Sequence, residues 1–257
     1  MTENVTKDAF LDGKIHVLQP AKGGHRAGID AVLLATAFPA QNRTRIADLG
    51  AGCGVAGFIA AARCPGAEVH LVELDPDMAS LVREGKNLIE NKEFSDRICV
   101  HQLDVTASSA QRNEVGLTSQ TFDTVICNPP FNDLDLNQSP STQRRLAHAL
   151  DQSQLAEWVK TSADLLKSKG ELWMIIRPSG LPELLIALDK AFGSVRVLPV
   201  FTAAGKNASR IIVTAKKGGR GAFSLLPGFN VHGDNERYSQ NAEDIFRGRA
   251  ALADFFR

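Results

Sequence analysis

The 257-residue sequence predicts an α/β fold built on a largely parallel sheet. Short apolar runs rich in β-branched residues alternate with segments of helical periodicity, which is typical of successive βαβ units. Glycine and proline mark the boundaries between these segments. Neither an internal repeat nor a linker divides the chain, so the pattern indicates one continuous sheet.

In the first half of the chain, four apolar segments are predicted to be strands: 45–49, 68–73, 98–102 and 122–127. After the first strand, a glycine turn at 50–54 leads into an alanine-rich helix that ends near Cys64. A second helix is predicted from Pro76 to about Asn91, because proline suits the first turn of a helix. We expect the polar segment 107–121 to form a surface loop.

The second half continues the alternation: a helix at 154–166 capped by Asp151, a strand at 171–176, a helix at 181–192 and closing strands at 194–199 and 211–216. Ahead of the first strand, 28–38 is predicted to be an apolar helix opened by Asp30. The tail 243–257 has helical apolar spacing, so we expect it to pack on the domain. These patterns indicate a single domain with three parts: an N-terminal segment at 1–44, a core at 45–217 and a tail at 218–257.

The charges of the chain balance, since 29 Lys and Arg residues offset 29 Asp and Glu residues. Any nucleic-acid partner must therefore be bound by a local patch. The four cysteines are scattered, with neither a C-x-x-C pair nor a His-rich cluster, so we expect reduced thiols and no zinc site. Residues 1–12 lack the apolar core of a signal peptide, and no apolar run approaches the ~20 residues of a membrane span. We expect a soluble, cytoplasmic protein.

A glycine turn joins the first strand to its helix, in the segment Asp48-Leu49-Gly50-Ala51-Gly52-Cys53-Gly54. Glycines at such a handover let the backbone turn sharply and approach a ligand closely. A dinucleotide-binding protein can carry a similar turn, but the spacing here is G-x-G-x-G and not the G-x-G-x-x-G of pyrophosphate binders. S-adenosylmethionine has no pyrophosphate, so the turn favours this cofactor. Cys53 is interpreted as a small turn residue, not as a nucleophile.

Two acidic residues follow neighbouring strands and are predicted to contact the cofactor. Glu73 ends the second strand, about 20 residues beyond the turn, where an acid accepts hydrogen bonds from ribose hydroxyls. Asp104 follows the third strand and is placed to receive the adenine amino group. Solvated acids at strand ends are the alternative for both. The cofactor site predicted from these motifs comprises Asp48, Gly50, Ala51, Gly52, Gly54, Glu73, Leu74, Asp104, Val105 and Asn128.

The fourth strand runs directly into Asn128-Pro129-Pro130-Phe131, the predicted catalytic segment. An amino group on a base or an amide is a poor nucleophile, because its lone pair is delocalised. The Asn128 side-chain carbonyl and the Pro129 backbone carbonyl can accept its N–H bonds and hold the nitrogen in line with a sulfonium methyl. The prolines keep the carbonyls rigid, and Phe131 offers a face for stacking a flipped base. Cys127 is interpreted as a core residue. The segment therefore predicts methylation of a planar amino group.

Together these motifs resemble the class I methyltransferases of the "methyltransferase small" group. Within it, the chain most resembles the bacterial tRNA1(Val) adenine-N6 methyltransferases, from the segment 28–34 through DLGAGCG, VELD and NPPF to Tyr238-Ser239. The resemblance implies a Rossmann-like fold with a seven-stranded mixed sheet, helices on both faces and an antiparallel last strand. It also implies that 28–34 covers the methionine part of the cofactor, which places Asp30 near the donor. The implied partner is RNA, with an adenine of the tRNA anticodon loop as substrate.

Two features depart from that family. Phe131 stands where tyrosine is frequent, and the segment 107–121 looks longer than the usual connection. A local phosphate-binding surface is expected from scattered basic residues, namely Arg144, Arg145, Lys206, Arg210, Lys216, Lys217 and Arg220. Solvated charges are the alternative for each of them.

Other substrates and classes also fit part of the pattern. Segments like NPPF occur in enzymes that methylate guanine-N2 of ribosomal RNA or glutamine amides of proteins. A small-molecule O-methyltransferase would need a base or a metal ion in place of the Asn128 segment. A cofactor- or RNA-binding module without turnover is the remaining alternative, and the intact Asn128 argues against it.

Overall fold

The computed structural model describes residues 5–21, 28–130, 143–233 and 236–256, with the side chains of the helix that begins at Gln143 described from Gln154 onward. The strands are β1 Val5–Phe10, β2 Ile15–Pro20, β3 Arg45–Leu49, β4 Glu68–Glu73, β5 Ile98–Gln102, β6 Phe122–Cys127, β7 Leu166–Ile176, β8 Phe192–Phe201, β9 Ala208–Lys217, β10 Ser224–Leu225 and β11 Phe229–Asn230. The helices are α1 Ile29–Ala37, α2 Val55–Arg63, α3 Pro76–Lys86, α4 Ser109–Glu114, α5 Gln143–Leu165, α6 Leu181–Leu188 and α7 Gln240–Phe246.

Seven strands form the body of the central sheet, in the order β5-β4-β3-β6-β7-β9-β8. β3 to β7 run parallel, and β9 runs antiparallel to both of its neighbours. The two-residue strands β10 and β11 extend the sheet along β8, while β1 and β2 form a separate antiparallel hairpin. The predicted mixed α/β sheet is confirmed. The chain moves outward from β3 to β5 on one side and then from β6 on the other, so a topological switch point lies between β3 and β6.

Two hydrophobic clusters cover the faces of the sheet. One is built around α1 and α2, and it includes residues of the β1–β2 hairpin and of the C-terminal tail, such as Val17, Ile245 and Phe256. In that cluster, the Trp173 ring lies 4.8 Å from the Phe256 ring, measured between centroids. The other cluster lies under α5 and α6. Burial of these apolar surfaces is the main term that stabilises the fold, and it also fixes α1 and α5 against the sheet.

We had expected the polar segment 107–121 to form a surface loop, but part of it is helical. It contains α4, which Ser108 caps: its hydroxyl accepts from the Gln111 backbone while the Gln111 side chain accepts from the Ser108 backbone. The Arg112 side chain is buried and pairs with Asp164 of α5. A reciprocal capping box therefore stabilises a short helix that lacks an apolar face.

Several element boundaries also differ from the sequence prediction, and β7, for example, begins at Leu166 and not at 171. Asp151 does not cap the helix at 154–166, because α5 already begins at Gln143 and Asp151 lies inside it. α3 ends at Lys86, and a separate 3-10 turn spans Ile89–Asn91. α6 ends at Leu188, so that Phe192 begins β8. The residues between Gln143 and Asp151 are mostly good helix formers and include no glycine or proline, so α5 begins well before the predicted cap at Asp151.

Candidate functional site

The ends of β3 and β6 meet at the switch point. Leu49 and Cys127 are register partners, each the last residue of its strand. The glycine turn and Asn128 therefore leave the sheet side by side at its carboxyl edge. In open α/β sheets, ligands bind at this kind of crevice.

The glycine turn is held to the neighbouring strand by its backbone. The amides of Gly50 and Ala51 both donate to the Val72 carbonyl oxygen, at 2.9 and 3.0 Å. Gly50, Gly52 and Gly54 have φ of 70°, 56° and 87°, in the left-handed region that favours glycine. A Cβ at Gly50 would lie 2.4 Å from the Trp158 ring of α5, whereas a Cβ at Gly52 would meet no atom within 4 Å. Gly50 thus packs against Trp158, whereas Gly52 borders open space that a ligand can enter.

Glu73 organises the turn from the end of β4. Its Oε2 accepts from the Gly52 amide at 2.7 Å and its Oε1 from the Asp75 amide at 2.8 Å. Next to it, the Leu74 side chain is 61% exposed, which is unusual for a leucine at the end of a buried strand. An exposed apolar side chain beside a carboxylate suits a nucleoside, which presents an aromatic face and ribose hydroxyls.

Asp48 is buried at the end of β3, with 2% of its surface exposed. The Gly57 backbone donates to its carboxylate, but Oδ2 has no hydrogen-bond partner among the described residues. Burial raises the pKa of Asp48 to about 7, and the nearby Glu73 carboxylate adds to the rise, against the Gly57 hydrogen bond. A buried carboxylate oxygen without a partner fits a cationic ligand, since S-adenosylmethionine carries both a sulfonium and an ammonium group.

The loop after β5 lies next to Glu73, because the Leu103 amide donates to the Glu73 carbonyl oxygen at 2.9 Å. Asp104 is exposed, and its Oδ1 accepts from both the amide and the hydroxyl of Thr106 at 2.7 Å. Val105 is buried, and its carbonyl accepts from the Thr161 hydroxyl at 2.9 Å. The structure thus brings Asp48, the glycine turn, Glu73 and the Asp104 loop to one edge of the sheet.

The predicted catalytic segment begins where the buried strand β6 ends. Asn128 and Pro129 are half-buried and Pro130 is exposed, while Phe131 lies outside the described residues. Cys127 is fully buried, and burial raises the pKa of its thiol, although the Ser162 hydroxyl lies 3.8 Å away. The interpretation of Cys127 as a core residue is confirmed. Asn128 is therefore the first residue after β6 whose side chain is not fully buried.

Asp30 lies in the first turn of α1 and does not open the helix, since Gly28 holds the capping position without a side-chain cap. The Asp30 carboxylate accepts from the Nε of Arg210 on β9 at 2.8 Å. This pair joins the start of α1 to the carboxyl edge of the sheet. A residue predicted to lie beside the donor and one predicted to bind phosphate are thus engaged with each other.

The basic residues expected to form one phosphate-binding surface do not lie together. Lys206 is exposed in the loop between β8 and β9, at the carboxyl edge. Because β9 runs antiparallel, Lys216 and Lys217 lie at the opposite edge of the sheet. There Lys216 lies 3.7 Å from a Glu171 carboxylate oxygen, and Lys217 donates to the Leu166 carbonyl. The side chains of Arg144 and Arg145 are outside the described part of the chain.

Sequence analysis missed two residues that support the turn. Trp158 of α5 packs against Gly50, and the thiol of Cys53 donates to the buried Gln19 side chain of β2 at 3.3 Å. The sequence does not show which residue a tryptophan in a helix will contact, so the contact with Gly50 could not be predicted. The contact of Gln19 could not be predicted either, because the β1–β2 hairpin was not recognised in the sequence. The turn is thus supported from both faces of the sheet by elements remote in sequence.

A mixed sheet with an antiparallel seventh strand, together with a glycine turn and an acid at its switch point, defines the class I S-adenosylmethionine-dependent methyltransferases. The family model described as "Methyltransferase small domain" matches residues 25–200. The chain belongs to this family, and its cofactor is S-adenosylmethionine.

Curated relatives and solved structures agree with the family. The chain is 28% identical over 213 residues to a tRNA1(Val) (adenine(37)-N6)-methyltransferase of Actinobacillus pleuropneumoniae, covering 82% of this chain and 84% of the relative. It is 32% identical over 192 residues to the protein of the same name from Porphyromonas gingivalis, covering 73% and 72%. The crystal structure of a predicted O-methyltransferase from Agrobacterium tumefaciens matches with a TM-score of 0.74 and 33% identity, covering 86% of this chain and 97% of the other. No helix in the described part of the chain is long and apolar enough to span a membrane.

Proposed function

We propose that this methyltransferase transfers the methyl group of S-adenosylmethionine to the N6 amino group of an adenine in tRNA. The observation that carries the proposal is the register pair Leu49–Cys127, which sets the cofactor turn beside Asn128. The names of the relatives from A. pleuropneumoniae and P. gingivalis support adenine-N6 of tRNA as the substrate.

The cofactor is held by residues from the ends of β3, β4 and β5. Asp48 supplies negative charge for the cationic methionine part, and Glu73 accepts from the ribose hydroxyls. The Leu74 side chain packs on the adenine ring. Asp104 accepts a hydrogen bond from the adenine amino group, and Val105 lies beside that edge of the ring. The remaining members of the cofactor site are Asp30, Gly50, Ala51, Gly52, Gly54 and Asn128.

Asn128 and Pro129 prepare the acceptor. When bound, the cofactor supplies an electrophilic methyl group on a positively charged sulfur. The two carbonyl oxygens of Asn128 and Pro129 accept the N–H bonds of the amino group and direct its lone pair toward that methyl. In this transfer the S–C bond of the cofactor would be exchanged for the new N–C bond, and the resulting ammonium would lose its proton to water. Pro130 fixes the backbone, and Phe131 stacks on the base.

A second candidate is transfer to a hydroxyl group, which the name of the A. tumefaciens structure suggests. A hydroxyl must lose its proton as it attacks, which calls for a general base or a metal ion. Asn128, Pro129 and Pro130 contain no basic group, whereas their carbonyls are suited to an N–H donor. The residues at the end of β6 therefore favour the amino group.

Replacing Asn128 with alanine tests the mechanism. We expect Asn128→Ala to lower methyl transfer to tRNA by about 100-fold or more, because a positioning acceptor is lost. Affinity for S-adenosylmethionine, measured by calorimetry, should stay nearly unchanged. The matched control is Asn113→Ala on the exposed face of α4, which should keep full activity. Full activity of Asn128→Ala would exclude the amino-group mechanism.

The substrate is tested by mass analysis of nucleosides in tRNA and ribosomal RNA from a strain that lacks the gene. Loss of N6-methyladenosine from one tRNA, restored by the purified enzyme, is the expected result. Loss of a methylguanosine from ribosomal RNA would move the proposal to guanine-N2. Unchanged RNA would point to a protein glutamine or a small molecule and would overturn the RNA substrate.

A further inference from the structure

The glycine turn is tethered to β4 through its backbone. Its amides bond to Val72 and Glu73 at the end of that strand. Because glycine loses more conformational freedom on folding than any other residue, such a turn keeps one conformation only where contacts hold it. Within 50–54, the single side chain that carries a hydrogen-bonding group is that of Cys53. Any tether made by a side chain of the turn must therefore pass through Cys53.

The side chain of Cys53 contacts the β1–β2 hairpin. Its thiol donates to the Oε1 of Gln19 at 3.3 Å, and each of these two residues has 2% of its surface exposed. Gln19 is the next-to-last residue of β2. A thiol is a weak donor, but an amide oxygen buried this deeply is costly to leave without one. The hydrogen bond therefore joins the hairpin to the turn, although the two residues are 34 positions apart in the sequence.

Asp8 of β1 determines which end of the Gln19 amide faces the turn. A carboxylate accepts but does not donate, whereas a side-chain amide has one accepting end and one donating end. The Gln19 Nε2 donates to the Asp8 Oδ2 at 2.8 Å, and the Thr6 hydroxyl donates to the same oxygen at 3.2 Å. Because a hydrogen bond to a carboxylate is stronger than a neutral one, Asp8 holds the amino end and leaves Oε1 directed toward Cys53.

We propose that Gln19 is a positioning residue for the cofactor and that it acts through Cys53. The hairpin holds the glycine turn in the conformation that receives S-adenosylmethionine, so that binding need not order the turn. The inference rests on the proposed function, which places the cofactor beside Gly52. The β1–β2 hairpin is then a functional part of the cofactor site, in addition to covering the core.

Affinity and stability together separate this role from packing alone. A residue that only packs lowers the free energy of unfolding but leaves the cofactor affinity of the folded protein unchanged. Loss of a positioning residue raises the Kd and the KM for S-adenosylmethionine, while kcat at saturating cofactor is kept because Asn128 is not altered. Asn91 supplies a control for stability. It is fully buried and bonds to both backbone groups of His16 on the same strand, at 3.0 and 2.6 Å.

A double-mutant cycle tests the inference. Gln19→Met keeps the size of the side chain but removes the amide, and Cys53→Ala removes the thiol. We expect each variant to raise the Kd of S-adenosylmethionine about fivefold in calorimetry, and the double variant to bind no more weakly, because all three lose the same contact. Cys53→Ser retains a donor and should bind nearly as tightly as the unmodified protein. Asn91→Ala should lower the thermal midpoint and leave the Kd unchanged. Unchanged affinity in Gln19→Met, or single effects that multiply in the double variant, would overturn the inference.

A second pair of variants keeps the test independent of changes to the buried contact. Asp8 is half-buried, and Asp8→Ala should raise the Kd about threefold because the Gln19 amide loses its orientation. Lys7→Ala, at the exposed neighbouring position, is the matched control and should bind normally. Equal Kd values in these two variants would also overturn the inference. Normal binding by Gly52→Ala would remove the cofactor placement itself, whereas weak binding by Gly52→Ala with normal binding by Gln19→Met overturns only the role of Gln19.

Discussion

At the scale of single residues, Asp48 is the site residue whose ionisation is most strongly affected by its surroundings. Burial opposes its charge, and the Glu73 carboxylate adds to that effect, so its pKa rises to about 7. In the cofactor binding proposed above, a proton and the positively charged ligand therefore compete for the Asp48 carboxylate at neutral pH. The sequence predicted that Asp48 lies at the cofactor turn, but the depth of its burial depends on how α2 packs on β3.

This competition makes cofactor affinity depend on pH. A cationic ligand prefers the ionised carboxylate, so binding releases a proton below the pKa and should tighten as pH rises toward about 7, then level off. The limiting slope is about tenfold in Kd per pH unit. Calorimetry of S-adenosylmethionine binding between acidic and mildly alkaline pH measures it. Asp48→Asn should bind more weakly and show no such slope; an unchanged slope in that variant would assign the titration to another group.

At the scale of elements, the turn between β3 and α2 combines two different glycine requirements. Gly50 needs its positive φ and also the absence of a Cβ beside Trp158, whereas Gly52 needs only its φ and borders open space. The sequence motif predicted a glycine turn but could not show that Gly50 and Gly52 are required for different reasons. The Trp158 contact comes from a helix about 100 residues later, so local reading of the motif could not have supplied it.

Alanine substitutions separate the two roles. Gly50→Ala should destabilise the fold by about 3 kcal/mol, from overpacking against Trp158 and from backbone strain. Gly52→Ala should lower stability by only about 1 kcal/mol but weaken S-adenosylmethionine binding, because its Cβ enters the ligand side. Gly116→Ala, with φ of 84° and no atom near its Cβ, is the control for strain alone. Denaturant unfolding and cofactor titration measure both effects. Equal stability of the Gly50→Ala and Gly116→Ala variants would contradict the Trp158 contact.

Elements with strong periodicity or β-branched runs were predicted well, and those that depend on specific side-chain pairs were not. The strands β3 to β6 match their predicted ranges, because buried parallel strands are continuous apolar runs bounded by turn residues. α4 was missed because it depends on the Ser108–Gln111 capping box and on buried Arg112. The β1–β2 hairpin was missed because its polar residues alternate only weakly with apolar ones.

At the scale of the whole molecule, parallel topology converts sequence order into a site. Asp48, Glu73, Asp104 and Asn128 all lie within two residues of the carboxyl end of a parallel strand, so knowing the strands was sufficient to place them at one edge. The same reasoning failed for the basic residues, because β9 reverses direction and carries Lys216 and Lys217 to the far edge.

The reversal of β9 predicts which surface lysine serves an RNA substrate. Lys206 is exposed at the carboxyl edge, where Asn128 lies, and Lys190 is exposed just before β8 at the amino edge. Given the proposed tRNA substrate, Lys206→Glu should raise KM for tRNA several-fold, because a phosphate-attracting charge is reversed near the crevice. Lys190→Glu should leave KM unchanged, and the Kd of S-adenosylmethionine should be unchanged in both. Steady-state kinetics at low and moderate salt measures the effect, which should shrink as salt rises. If Lys190→Glu raised KM more than Lys206→Glu, the RNA would have to approach the sheet from its amino edge, which the position of Asn128 does not allow.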